Sequence, residues 1–285
     1  PNARGRALAV GRTEIIAVLV TEPLSELFSD PTYSEFLSGI TEELSESSYL
    51  PVILQASSAH ERNRAREHFE RRSFDAVIDV SPYKGSELLE VLRELSVPTV
   101  LCGQLEGHPY RDVFSTVYSD DEEGGHFAAL AMKERGRRDI VAVLGPQDNP
   151  AVIDRLRGYR AVLGKDLPDE NVVYTGWNSG DGYQAMHQLL AREITFDGVL
   201  CGSDRIATGV ITALNEAGLS VPADVSVVGF DDHEIAARCV PALTTVRQPL
   251  REEGHMAANI ALDMIKGAEP TTTVMHMQLI QRDSL

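Results

Sequence analysis

Short apolar, β-branched runs recur along this chain and alternate with stretches of helical periodicity, from Ile15–Val20 almost to the C-terminus. A continuous run of this kind reads as a strand buried on both faces, the environment of a parallel sheet. Parallel neighbours need long crossovers, and the helix-patterned segments supply them. The strand-like runs are Ile15–Val20, Val52–Leu54, Ala76–Val80, Thr99–Cys102, Thr116–Ser119, Ile140–Leu144, Val172–Tyr174, Gly198–Cys201, Val225–Gly229, Thr244–Arg247 and a last strand over Val274–Ile280. Between them Tyr33, Phe36, Leu37, Ile40 and Leu44 form one apolar stripe, the spacing of a helix facing a core. Further helices are expected over 59–72, 86–95, 122–135, 152–163, 182–192 and 205–217, with a final one carrying Met256, Ile260 and Met264. Two successive sets of about four βα units predict an α/β protein of two Rossmann-like lobes with parallel sheets, each of ordinary domain size. The expected division is 13–135 plus 249–269 for the first lobe and 136–248 plus 270–285 for the second, joined by three crossovers, with residues 1–12 as a separate arm.

Charge narrows the partners. A net charge of −17 over 285 residues argues against a nucleic-acid-binding body, because phosphate contacts need Lys and Arg. The first twelve residues differ: they hold Arg4, Arg6 and Arg12 and no acid, so the arm, not the body, is the segment to meet a polyanion, although composition alone favours an ordinary disordered terminus. Cys102, Cys201 and Cys239 lack metal-ligand spacing and are odd in number, which suits a reducing cytosol better than a disulfide framework. No run reaches the roughly 20 apolar residues that span a bilayer, and the N-terminus lacks the apolar region of an export signal.

Catalytic signatures fail one by one. Gly158–Lys165 resembles a phosphate loop, but its spacer is one residue too long and Asp166 stands where Ser or Thr belongs. His233-Glu234 is not followed by the second histidine of a zinc-protease helix, and no Gly-x-Ser-x-Gly elbow occurs. Gly180-Asp-Gly182-Tyr-Gln-Ala185 loosely imitates a dinucleotide fingerprint. That fingerprint normally opens the first unit of a sheet, and here Trp177 and Asn178 intervene between strand and glycines. A nicotinamide or flavin enzyme is therefore the weakest reading, and no cofactor is expected.

What remains suits binding without chemistry. Val225–Gly229 runs into Asp231-Asp232, and ligands of open α/β sheets bind outside the carboxyl ends of strands. Asp231 is expected to touch ligand, whereas Asp232 reads as a helix N-cap in a solvated turn. Arg155, Trp177 and Ser203 fall at other strand ends of the second series. An indole stacks on the C–H face of a sugar ring, and charged groups make strong hydrogen bonds to its hydroxyls. Each has a plainer alternative: core packing for Trp177, a solvated helix face for Arg155, a helix cap for Ser203.

Taken together these segments resemble the lactose-repressor (LacI/GalR) family of bacterial transcription regulators along essentially the whole chain. The resemblance rests on Val225–Asp232 with Pro241–Pro249, Ser119-Asp-Asp-Glu-Glu-Gly-Gly125, Gly136-Arg-Arg-Asp-Ile140, Arg155-Leu-Arg-Gly-Tyr-Arg160 and the ending Gln281-Arg-Asp-Ser284. It implies a fold like that of type I periplasmic binding proteins, a cytoplasmic homodimer, and a small-molecule effector, a sugar foremost, held between the lobes. The implied effector contacts are Asp30, Tyr33, Ser81, Glu123, Arg155, Trp177, Ser203, Asp231 and Gln248. Ser203 stands where the family commonly has Asn, and Asp30-Pro-Thr-Tyr33 where it has Asn-Pro-Phe-Phe, so no particular effector carries over. Pro1–Ala9 matches the segment that meets operator DNA, with Arg6 and Leu8 as its contact residues and Leu8 as the minor-groove wedge. Residues 1–285 alone are expected to show little or no sequence-specific DNA binding. A periplasmic sugar-binding protein of the same fold is the alternative that Arg4, Arg6 and Arg12 oppose.

Overall fold

A computed structural model of the chain describes residues 12–80, 87–105, 107, 109–192 and 194–285. The fold divides into two units. The first runs to Ser119 and resumes over Pro249–Met275; the second comprises Asp120–Gln248 and His276–Leu285. Arg6, Leu8 and Ser81 lie outside the described residues.

In the first unit, strands β1 (Ile15–Val20), β2 (Leu50–Gln55), β3 (Ala76–Asp79), β4 (Thr99–Cys102), β5 (Ser115–Ser119) and β11 (Thr272–Met275) form one sheet in the order β11-β5-β4-β3-β1-β2. All its pairings are parallel. Helices α1 (Leu24–Ser29), α2 (Pro31–Leu44), α3 (Ala59–Glu70), α4 (Glu87–Glu94) and α10 (Leu250–Ile265) cover it. The short α1 was not legible as a separate element.

The second unit repeats the plan. Strands β6 (Ile140–Leu144), β7 (Val172–Tyr174), β8 (Gly198–Cys201), β9 (Ser226–Asp231), β10 (Thr244–Arg247) and β12 (Gln278–Ile280) pair in the order β12-β10-β9-β8-β6-β7. Only β12 runs antiparallel, against β10. Its helices are α5 (Asp121–Glu134), α6 (Pro150–Leu163), α7 (Ser179–Leu190), α8 (Asp204–Glu216) and the short α9 (Glu234–Arg238). Alternate residues of β6 feed opposite layers: Ile140, Ala142 and Leu144 pack with α5 and α6, while Val141 and Val143 pack with α7 and α8. This is why the strands read as unbroken apolar runs. Strand order reverses between β6 and β8, the point at which sheets of this type open a crevice at their carboxyl ends.

Three expectations need correction. The first division was expected after residue 135, but it lies between Ser119 and Asp120. Helix α5 belongs to the second unit because its small buried face, Gly124, Gly125, Ala128 and Ala129, lies against α6 and the edge of that sheet. The single last strand is in fact two, β11 and β12, one in each sheet. His276 and Met277 break it, held by Glu123: its carboxylate accepts the Met277 backbone N–H at 3.0 Å and lies 3.2 Å from His276 Nδ1. Asp232 is not an N-cap. His233 occupies that position of α9, and Asp232 accepts from Arg247 at 2.7 Å and from Arg282 at 2.6 Å.

Candidate functional site

The carboxyl ends of β6, β8, β9 and β10 in the second unit bring five sequence-expected residues, Arg155, Trp177, Ser203, Asp231 and Gln248, into one neighbourhood. Arg155 is set by α6. That helix starts sharply because Asn149 accepts the Ala151 N–H at 2.9 Å and Pro150 occupies its first turn. Arg155 is then aimed inward and is only 4% exposed, which removes the solvated-face reading. Its Nε donates to Asp121 at 2.7 Å and its Nη1 to the Gly202 carbonyl, with Asp231 3.6 Å from Nη1. The guanidinium carbon lies 3.7 Å from the Phe230 ring centroid and 5.9 Å from that of Trp177. Burial works against this charge, but Asp121 and Asp231 more than restore it and hold the guanidinium above its usual range.

Two glycines permit the α5–α6 approach behind this arrangement. A Cβ at Gly125 would overlap the Arg155 carbonyl oxygen, and one at Gly158 would overlap the carbonyl oxygen of Glu122. The Gly-Gly of one motif and the Arg-Gly-Tyr of another are thus two halves of one helix contact.

Asp121, which pairs with Arg155, was not among the expected residues. In sequence it is one of four consecutive acids at a helix start, the pattern of a solvated first turn. Folded, it is buried, and burial pushes its carboxyl up to about 6 in spite of Arg155, with Asp154 and Asp231 adding to the rise. Phe230 and Gly202 were missed too; an apolar strand residue and a loop glycine carry no signal of a guanidinium neighbour.

Asp231 ends β9 with φ of +104° and Asp232 follows at +59°, a conformation that costs non-glycine residues on the order of 1–3 kcal/mol. Neighbours hold the bend. Gln248 donates to Asp231 Oδ1 at 2.5 Å, His233 Nδ1 lies 3.8 Å from Oδ2, and two arginines grip Asp232. Gln248 therefore acts directly on Asp231.

Ser203 caps α8, its Oγ accepting the Ile206 N–H at 3.1 Å, so the plainer reading describes its bond in this structure. Asp204 beside it is fully buried, accepting from the His233 N–H at 2.8 Å and from Thr245 Oγ1 at 2.6 Å. Burial first, and Asp231 second, hold its carboxyl well above the usual range. Trp177 is half-buried between the two core layers. A Cβ at Gly145 would lie 2.5 Å from its ring, so that glycine makes room for the indole at the switch point.

Three further expected residues have partners of their own. Glu123 is engaged by His276 and Met277 as described. Asp30 and Tyr33 belong to the first unit, where Asp30 caps α2 by accepting the Thr32 N–H at 3.0 Å and Tyr33 packs against the core. Among the described residues no group of three His, Cys, Asp or Glu is placed to hold a metal ion, and no helix is long and apolar enough to cross a membrane.

Residues 129–285 match the periplasmic binding protein-like domain family. The whole chain is 33% identical to the HTH-type transcriptional regulator CelR of Thermobifida fusca, covering 85% of that protein. It is 30% identical, over 98% of its length, to the ribose operon repressor of Escherichia coli K12, covering 83% of it. A solved CelR–cellobiose complex superposes with a TM-score of 0.91 at 32% identity, covering 99% of this chain and 89% of that one. A LacI family regulator from Enterococcus faecium with bound ribose gives 0.80 at 26% identity, covering 95% and 98%. These relatives are transcriptional regulators and not enzymes. The chain belongs to the LacI family of transcriptional regulators, of which it forms the effector-binding core.

Proposed function

We propose that this core senses a small sugar at the carboxyl ends of β6, β8, β9 and β10, and that occupancy controls operator binding through a DNA-binding region. The observation that carries the reading is the triad Arg155, Asp231 and Trp177: a buried guanidinium, a strained carboxylate and a half-buried indole at one switch point. Fixed through Nε and Nη1, Arg155 offers its remaining nitrogen to a hydroxyl. Asp231 accepts from another, and the indole receives the C–H face. CelR solved with cellobiose and the Enterococcus faecium regulator solved with ribose support a sugar.

The regulation is linkage. A sugar shifts the core between states only by its difference in affinity for them, a coupling typically worth about 1–3 kcal/mol. No bond is made or broken. The same reading includes the cytoplasm, where an operator is found, and a homodimer. Dimerisation gains support from β2, an edge strand that leaves Leu50, Val52 and Ile53 exposed. Light scattering tests it: a monomer at working concentration sinks the dimer.

Calorimetry with cellobiose and ribose tests the sensing role. Asp231→Ala is expected to weaken the binding sugar by about 30-fold, the equivalent of ~2 kcal/mol for a charged hydrogen bond. An affinity untouched by the substitution removes Asp231 from the site. If a broad panel of sugars gives neither heat nor a rise in melting temperature, the sugar reading fails.

A further inference from the structure

Three features of the second unit bear on the charge of its ligand. Two carboxylates already face one guanidinium: Asp121 takes the Nε edge of Arg155 at 2.7 Å, and Asp231 lies 3.6 Å from Nη1. The helix N-termini at the strand ends, which would ordinarily receive an anion, are closed by their own side chains. Asn149 caps α6, Asn178 with Asp181 caps α7, and Ser203 caps α8. The first turn of α8 also holds the carboxylate of Asp204. Finally, Phe230 and Trp177 give the guanidinium two aromatic neighbours, a surface that suits the apolar face of a ring and offers an anion nothing.

We propose that the effector is an electrically neutral polyhydroxy compound, and that Asp121 enforces this by occupying the edge of Arg155 that a phosphate or carboxylate would otherwise grip. A guanidinium binds such anions as a fork, through two parallel N–H groups. With Nε committed to Asp121 and Nη1 to the Gly202 carbonyl, that fork is closed. An incoming anion would also meet Asp231 without a compensating charge. The inference rests on the reading that the effector binds at this site, and it makes Asp121 a specificity residue that acts through Arg155.

The test uses Trp177, the only tryptophan of the chain, as a fluorescent reporter beside Arg155. Wild-type protein, Asp121→Asn and Asp121→Ser, each checked for folding by circular dichroism, are titrated with sulfate, with ribose and ribose 5-phosphate, and with cellobiose. Wild type is expected to show no saturable response to sulfate or ribose 5-phosphate, and the folded Asp121 variants to bind sulfate at least tenfold more tightly than wild type. A wild type that prefers ribose 5-phosphate to ribose overturns the neutral effector, and this arm needs no variant. A folded variant with no gain for sulfate overturns the role of Asp121. If no neutral sugar binds while the variants still gain sulfate affinity, the charge selection stands and the sugar reading falls.

Discussion

The guanidinium carbon of Arg155 lies 3.7 Å from the centroid of the Phe230 ring, inside a cluster that also buries Asp121 and Asp231. Removing the cation strands both carboxylates. Breaking one side of a buried ion pair typically costs about 3–5 kcal/mol, so Arg155→Met is expected to lose stability of that order. Arg155→Lys recovers only part of it, because an ammonium cannot lie flat on Phe230 while serving Asp121 and the Gly202 carbonyl. Urea unfolding of the three proteins checks the order; a methionine variant within about 1 kcal/mol of wild type would show that the cluster does not depend on its cation.

Gly158 faces the Glu122 carbonyl across the α5–α6 contact, and a methyl group there has no room. Gly158→Ala should push the helices apart and shift Arg155 relative to Asp121. Alanine gains about 1 kcal/mol of helix propensity, but overpacking against backbone costs typically 1–3 kcal/mol. The expected net result is a lower melting temperature together with altered Trp177 fluorescence. A melting temperature above that of wild type would mean the contact relaxes freely.

Burial holds the Asp121 carboxyl at about 6 in the folded chain, against a usual 3.8. The folded state therefore binds this proton more tightly than the unfolded state. Between 3.8 and about 6 the stability due to Asp121 falls as pH rises, then levels off above that window. The full change is on the order of 3 kcal/mol. Asp121→Asn should remove this component, so that the difference in unfolding free energy between variant and wild type grows in favour of the variant from pH 4 towards pH 6.5. A difference that stays flat over that range would mean that burial does not raise this carboxyl.

The alternation of apolar runs made the two sheets legible because a strand buried on both faces cannot hide its composition. Ile140–Leu144 is an example with identical predicted and observed bounds. Arg155, Trp177 and Asp231 stood out as candidates for a related reason: Asp231 ends such a run, Trp177 follows another, and Arg155 lies on the helix after a third. The failures share a cause as well. Asp121 and Asp232 look like surface acids because their partners, Arg155 and the pair Arg247 and Arg282, come from distant stretches of chain. The last strand looked continuous because the switch of sheet at His276 depends on Glu123, more than 150 positions earlier. Local pattern reports burial; it does not report which remote group meets a charge.

That switch gives the last prediction. Glu123 holds the Met277 N–H and lies beside His276, between β11 and β12. The carboxylate is partly solvated, at 28% side-chain exposure, so screening reduces what the pair with His276 contributes. The backbone N–H carries most of the effect, since a charge-assisted bond to a half-buried donor is worth about 1–2 kcal/mol. Glu123→Ala is expected to lower unfolding free energy by that amount, and hydrogen exchange at the Met277 amide should accelerate. Glu123→Gln keeps an acceptor oxygen for Met277 while losing the charge, and should restore about half the loss. If the alanine variant leaves Met277 exchange at the wild-type rate, the β11–β12 break is held by strand pairing alone and Glu123 is a bystander.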